Sequence, residues 1–372
     1  MSKIRVLVVD NAVVVRRLVT DALSTDPELQ VVGTAPNGRI ALAKIPQINP
    51  DLVTLDIEMP ELDGIATLRE LRRTYPTLPV VMFSTLTERG AAATLDALAL
   101  GANDYVTKPA NVGSVTAALE AVKGELIPKV KALCAGRRLP AARSIPVPRI
   151  PSERWPQLPA GPVQMLTIGV STGGPEALAR VLPALPADLP VPVTVVQHMP
   201  PVFTRLLAER LSSRCALPVM EAKGGMEVTP GRIYIAPGDF HLTVERAAGA
   251  VVTKISQGPP ENSCRPAVDV LFRSVADVYK PHILAVEMTG MGQDGLRGCE
   301  HIREAGGQIL AQDQASSVVW GMPGFVANAG LADKVLPLDQ IGAEIIRRIR
   351  NGREFTGGFR STAQTAVSSY PK

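Results

Sequence analysis

Residues 52–71, LVTLDIEMPELDGIATLREL, decide how the first half of the chain folds. An apolar run of strand length, Asp51–Ile57, carries Asp56 near its carboxyl end, passes through a turn holding Pro60 and Gly64, and enters a helical pattern from Ile65 to Leu71. The same unit recurs on both sides. Ile4–Asp10 precedes Val14, Leu18 and Ala22 on one helical face, and Val31–Ala35 precedes Ile40 to Ile45. Val80–Ser84 precedes Ala91 to Ala99, and Asp104–Thr107 precedes Val115 to Val122. Five β-α units predict an α/β fold with a doubly wound parallel sheet, helices on both faces and ligands outside the carboxyl ends of the strands.

A second alternation begins at Met165–Val170 and continues through Val193–Gln197, Arg232–Ala236, Ile283–Thr289 and Gln308–Gln312, with helical stretches such as Glu176–Leu185 and Phe203–Leu211 between them. It predicts a second α/β sheet, with an antiparallel element around His241–Ile255. Between the two, residues 123–162 hold eight Lys or Arg, two Glu and eight prolines, a composition that extends a chain. The expected organisation is thus a domain over 1–122, a Pro-rich basic linker over 123–162, a second domain over 163–355 and a Ser/Thr/Gly-rich tail over 356–372.

Composition narrows the function. A chain of 372 residues exceeds what one core usually spans. No apolar run approaches the roughly 18 residues of a bilayer span, and Met1–Asp10 is a short strand-like run rather than a signal peptide, so neither membrane insertion nor export is expected and the protein reads as cytoplasmic. Four cysteines, Cys134, Cys215, Cys264 and Cys299, form no CxxC pair and read as reduced thiols. The net charge of +4 sits in the linker, leaving both domains near neutral, and aromatic residues are only 4%. Neither feature fits a nucleic-acid groove.

Asp10, Asp56, Ser84 and Lys108 each end or follow a strand of the first sheet and so converge on one edge. Two carboxylates there hold a hard cation such as Mg²⁺, while Lys108 and the Ser84 hydroxyl face an anion attached at Asp56. Taken singly, each is as readily a cap or a turn residue. Together, VVDN, LDIEMPELDG, FST and GANDYVTKP, in this order and spacing, resemble the receiver domain of two-component response regulators over about residues 3–122. The resemblance implies that Asp56 is the phosphoacceptor, that Asp10, Asp56 and the Glu58 carbonyl bind Mg²⁺, that Ser84 and Lys108 contact the phosphoryl group, that Tyr105 is an aromatic switch and that Lys108–Pro109 is cis. One position departs from the pattern: Asn11 stands where receivers usually carry a second acid.

In the second half, Met165–Val170 runs into Ser171-Thr172-Gly173-Gly174-Pro175 and a helix. A serine on such a turn is exposed beside helix N–H groups that stabilise an oxyanion. The same turn also fits a helix N-cap or a phosphate cradle, although the acid of a dinucleotide fingerprint is missing. A nucleophilic serine needs a base and an orienting carboxylate. His198 follows the second strand of this half, and Asp294 sits in the glycine-rich loop after Ile283–Thr289, both at the edge of Ser171. His241 is a rival base; His282 and His301 read as structural or exposed. Cys264 follows no strand, has no adjacent histidine in sequence and reads as an inert loop thiol. The order Ser, His, Asp differs from that of α/β-hydrolases.

The segments IGVSTGG, VVQHMPPVFT, YIAPGDFH, GPPENSCRPAVDVLF, TGMGQDG and WGMPG resemble the catalytic domain of the chemotaxis protein-glutamate methylesterases from about Gln164 to Ile349. That resemblance implies Ser171 as nucleophile, His198 as general base, Asp294 as its orienter, and the Met291 N–H with Thr172 close by at the oxyanion. It also implies hydrolysis of glutamate methyl esters, and deamidation of glutamines, on methyl-accepting chemoreceptors, with a sensor histidine kinase as phosphodonor. Mg²⁺ is expected only in the receiver and no cofactor for the esterase. The competing expectation is a response regulator whose second domain only binds a nucleotide or partner. A DNA-binding output is disfavoured because no basic helix-turn-helix follows the linker.

Overall fold

The computed structural model describes residues 3–109, 114–138 and 162–351. The amino-terminal unit alternates β1 (Ile4–Val9), α1 (Val13–Ser24), β2 (Leu29–Ala35), α2 (Gly38–Ile48), β3 (Leu52–Asp56), α3 (Gly64–Thr74), β4 (Val80–Ser84), α4 (Glu88–Ala99), β5 (Asp104–Thr107) and α5 (Val115–Arg138). Its five strands lie in the order β2-β1-β3-β4-β5, all parallel. The order reverses between β1 and β3, which puts Asp10 and Asp56 at the crevice where such sheets bind ligands. Side-chain caps start three of the helices: Asn37 accepts from Ile40 N, Asp63 from Ala66 N and Thr87 from Gly90 N.

The helix α5 corrects the expected linker. It runs to Arg138, so Lys123, Lys129, Lys131 and Pro128 are helical rather than extended. Val122, Leu126, Val130 and Leu133 recur at helical spacing and bury one face in the core of the amino-terminal unit. That stripe outweighs the single backbone hydrogen bond that Pro128 deletes. The prolines of 139–161 and the tail of 356–372 lie outside the described residues. A second correction concerns Lys108–Pro109: the cis peptides among the described residues are Arg265–Pro266 and Lys280–Pro281, and Lys108–Pro109 is not one of them.

The carboxy-terminal unit comprises β6 (Met165–Val170), α6 (Gly174–Val181), β7 (Val193–Gln197), α7 (Phe203–Ser212), β8 (Val219–Glu221), β9 (Ile233–Ile235), β10 (His241–Ala247), β11 (Ala250–Ser256), α8 (Val268–Tyr279), β12 (Ile283–Glu287), α9 (Leu296–Glu304), β13 (Gln308–Gln312), α10 (Met322–Asn328), β14 (Lys334–Leu336) and α11 (Leu338–Asn351). Seven strands form a parallel sheet in the order β14-β13-β12-β6-β7-β9-β8, and β10-β11 is the antiparallel hairpin expected from the sequence. Helices cover both faces, so β6, β7, β12 and β13 are buried along their whole length. The order reverses between β12 and β6, the strands that lead into Asp294 and Ser171.

The amino-terminal unit meets the carboxyl edge of the second sheet through α4, the start of β5 and α5. Tyr105 stacks on Phe203 with ring centroids 4.8 Å apart and an interplanar angle of 5°. Ion pairs Glu88–Arg205 and Asp96–Arg210 join α4 to α7 at the rim. Such exposed pairs add orientation more than affinity.

Candidate active site

In the amino-terminal unit, Lys108 Nζ reaches Asp56 Oδ1 at 2.7 Å and Asp10 Oδ2 at 2.9 Å. Burial raises the proton affinity of Asp56, Lys108 opposes this, and the neighbouring Asp10 charge adds to it. Asp56 Oδ2 is buried without a hydrogen-bond partner among the described residues. Two adjacent carboxylates with an orphaned oxygen fit a divalent cation of the Mg²⁺ class. Ser84 Oγ is turned instead toward α4, accepting from Thr94 Oγ1 at 2.6 Å and donating to the Gly90 carbonyl at 3.1 Å. Tyr105 is buried under Phe203, with Lys129 Nζ 5.2 Å from its ring centroid. Glu58 is exposed beside this group, its N–H 3.4 Å from Asp56 Oδ1.

In the second unit, β6 delivers Ser171 and β7 delivers His198 to one edge, and the loop from β12 to α9 brings Asp294 across. That loop packs closely on the side chains around it: a Cβ on Gly290 would lie 2.9 Å from Ser171 Cβ and 2.3 Å from Met322 Sδ, so no larger residue fits there. His198 Nε2 is 2.8 Å from Asp294 Oδ2. Asp294 also accepts from Val268 N, Asp269 N, Gly295 N and Asn262 Nδ2 at 2.6–3.1 Å. Burial alone would raise its pKa; His198 and these donors lower it, so the carboxylate is held charged. Burial pushes His198 down, but Asp294 and Cys264 outweigh it and raise its pKa.

Met291 lines the adjoining cleft, and its N–H donates to no acceptor among the described residues. The cleft encloses about 640 Å³ between the two units. Thr172, next to Ser171, donates its hydroxyl to Asp104 Oδ2 of the receiver at 2.6 Å. His241, the rival base, is buried, with Nε2 against the Pro259 carbonyl and Nδ1 accepting from Ala267 N, so it is structural. His282 and His301 bond the carbonyls of Pro162 and Arg297.

Cys264 is not the isolated thiol that its sequence position implied. Its sulfur lies 3.5 Å from His198 Nδ1, because Asn262 and Ser263 both adopt positive φ and fold their loop over the imidazole. Two other residues escaped the sequence reading. Gln197 Nε2 donates to the carbonyls of both Ser171 and His198, at 3.0 and 3.2 Å, and so ties the two residues together. Glu287, at the end of β12, is fully buried with neither carboxyl oxygen hydrogen-bonded among the described residues. A polar residue closing an apolar strand was the available signal for both.

The family model for the CheB methylesterase matches residues 166–345, and that for the response regulator receiver domain matches residues 6–120. A protein-glutamate methylesterase/protein-glutamine glutaminase of Trichodesmium erythraeum is 56% identical over 94% of this chain and all of its own length. This chain belongs to that family. Relatives of the same name from Nocardioides and Symbiobacterium thermophilum are 55% and 46% identical, over 95% and 94% of this chain and 97% and 98% of their own. The methylesterase match spans every strand that carries Ser171, His198 and Asp294, and the receiver match spans Asp10, Asp56 and Lys108. Among the described residues no helix is long and apolar enough to cross a membrane.

Proposed function

We propose that this chain hydrolyses γ-glutamyl methyl esters, and deamidates glutamines, on the cytoplasmic helices of methyl-accepting chemoreceptors, and that phosphorylation of Asp56 by a sensor histidine kinase turns it on. The observation that carries the reading is the 2.8 Å contact of His198 Nε2 with a carboxylate held charged by four further donors, at the sheet edge where Ser171 emerges. Asp294 fixes the ring so that Nδ1 faces the cleft, and Ser171 Oγ gives its proton to that nitrogen as it attacks the ester carbonyl. The Met291 N–H, with Thr172 beside Ser171, stabilises the oxyanion. His198 returns the proton to the departing methoxide, releasing methanol. Water then cleaves the acyl-enzyme by the same path and leaves a free glutamate.

In the receiver, Asp10, Asp56 and the Glu58 carbonyl would hold Mg²⁺. Bound there, the ion would offset charge on the incoming phosphoryl group. Lys108 pairs with that group once Asp56 is modified, which draws it from Asp10. Ser84 must leave Thr94 and Gly90 to meet the phosphoryl oxygens, and this couples the site to α4 and thence to α7. The stacked Tyr105 and the Asp104–Thr172 bond support a resting form in which the receiver covers the cleft.

The test is methanol release from methylated receptor, with and without a small phosphodonor, alongside labelling by a fluorophosphonate. Ser171→Ala is expected to abolish both turnover and labelling. His198→Ala should fall almost as far, and Asp294→Asn should keep a trace. Near-normal turnover of Ser171→Ala would remove the mechanism, and unchanged turnover with phosphodonor would remove the control.

A further inference from the structure

Cys264 Sγ and His198 Nδ1 face each other across 3.5 Å on the wall of the cleft, and both residues are partly exposed. We propose that these two atoms form a binding site for a thiophilic divalent cation, Zn²⁺ or Cd²⁺, whose occupancy blocks the base.

The separation is the first argument. A tetrahedral zinc ion with bonds of about 2.3 Å to sulfur and about 2.05 Å to imidazole nitrogen places those donors about 3.6 Å apart. The pair therefore already stands at the separation of two ligands on one such ion. The second argument is the far side of the ring. A metal-bound histidine commonly donates its other N–H to a carboxylate, which fixes the ring and raises its donor strength. Here Asp294 Oδ2 takes Nε2–H at 2.8 Å, leaving Nδ1 as the ligand atom. His198, Cys264 and Asp294 each offer a donor atom within 4.8 Å of the others, so the carboxylate also supplies nearby negative charge.

The third argument is preorganisation. Glu261 and Cys264 exchange backbone hydrogen bonds of 3.1 and 2.8 Å, closing the turn that carries the thiol. Asn262 in that turn is bonded to Asp294 Oδ1 at 2.9 Å, the carboxylate that also orients His198. One group thus positions both ligands. Cations on the cleft wall do not compete: Arg265 is taken by Asp239 and Lys129 by Asp104 and Glu125. On binding, the Cys264 thiol and Nδ1 release any proton they hold to solvent, and water completes the coordination. The remaining thiols do not match: Cys134 and Cys299 are buried, and Cys215 has no histidine partner among the described residues.

The full chain is titrated with Co²⁺ and Cd²⁺, following thiolate-to-metal charge-transfer absorption in the ultraviolet, and Zn²⁺ affinity is measured by competition with a chromophoric chelator. One equivalent should generate the band, since a cation held by Asp10 and Asp56 has no thiolate ligand and adds nothing to it. Cys264→Ala should lose the band and weaken Zn²⁺ by at least about tenfold, the loss that even an outer partner of a ligand brings. His198→Gln reports the same site from its second ligand and should weaken Zn²⁺ likewise, which keeps the test decisive should Cys264→Ala fail to fold. Cys215→Ala should match the wild type. No band in the wild type, or equal bands and affinities in wild type and Cys264→Ala, overturns the site. That occupancy stops hydrolysis rests on His198 being the base: tight binding at the two ligands with full turnover would count against that role, while the binding data stand apart from it.

Discussion

Thr172 Oγ1 lies 2.6 Å from Asp104 Oδ2, a hydrogen bond that crosses from the methylesterase unit to the receiver beside Ser171. Asp104 ends a path that begins at the Asp56–Lys108 pair, because β5 carries Asp104 and Tyr105 at its start and leads directly into Lys108. Whatever shifts Lys108 and β5 therefore acts on the residue next to Ser171.

Asp104→Ala should raise hydrolysis in the absence of phosphodonor by about tenfold. A hydrogen bond to a charged group contributes about 1.5–3 kcal/mol, and each 1.4 kcal/mol is a factor of ten in the closed-to-open ratio. The stimulation by phosphodonor should shrink by the same factor, since the bond it must break is already gone. Methanol release measured with and without phosphodonor, for both proteins, checks the pair of expectations; unchanged basal turnover would mean that the contact does not restrain the enzyme.

Gln197 supplies a second expectation. Its amide holds the Ser171 and His198 carbonyls together, and Gln197→Leu leaves both without that donor at the ends of β6 and β7. A displacement of the order of 1 Å between reacting groups costs about a hundredfold in rate. We expect kcat to fall by that order with KM little changed, while the thermal transition moves far less. A rise in KM with kcat intact would assign Gln197 to substrate binding instead.

The β-α repeats and the convergence of Asp10, Asp56 and Lys108 were legible because strand ends in a parallel sheet share one edge, and apolar runs mark those strands without ambiguity. Val219–Glu221 and Lys334–Leu336 were not legible as strands, since three edge residues carry no periodic signal. The linker boundary was misplaced because prolines and basic charge dominate the composition of 123–162 while the stripe from Val122 to Leu133 is sparse. Cys264 was misread for a different reason. Its position depends on two left-handed residues, Asn262 and Ser263, and neither is a glycine that would announce the turn. Glu287 lies inside the apolar run Ile283–Thr289, and only tertiary packing against Gly169 and Gly295 reveals a carboxyl group without partners among the described residues.

That carboxyl group makes stability depend on pH. Burial holds the Glu287 pKa well above the ordinary 4.5, and the charges of Asp294 and Asp269 push it the same way. An acid whose pKa is raised by folding contributes its full stability below the unfolded value. The contribution is lost as pH rises from about 4.5 toward the native value, because the unfolded chain releases its proton first. The slope reaches about 1.4 kcal/mol per pH unit. Glu287→Gln should flatten this part of the stability curve, and Glu287→Met should also raise stability by about 1–3 kcal/mol at neutral pH by removing unpaired polar atoms. Urea unfolding at pH 5, 6.5 and 8 decides; parallel curves for wild type and Glu287→Gln would show that Glu287 is charged or solvated in the fold.

Asn11 borders the two-carboxylate site of the receiver. It follows Asp10 directly, is exposed, and its amide makes no hydrogen bond among the described residues, so it is free to turn toward Asp56. Asn11→Asp adds a full negative charge at the edge of the two-carboxylate site. A divalent ion and a carboxylate about 4 Å apart attract by about 2 kcal/mol even at the dielectric of water. Mg²⁺ affinity should therefore rise by about tenfold or more, and at subsaturating Mg²⁺ the labelling of Asp56 by a small phosphodonor should quicken in proportion. The opposite charge cost appears without metal: three neighbouring carboxylates share one Lys108, so the metal-free variant should be less stable than the wild type, and saturating Mg²⁺ should reverse that order. Calorimetric titration of Mg²⁺ into both proteins, with thermal melts at each end of the titration, tests both halves. Superimposable titrations would mean that the amide oxygen of Asn11, through a bound water, serves the ion as well as a carboxylate does.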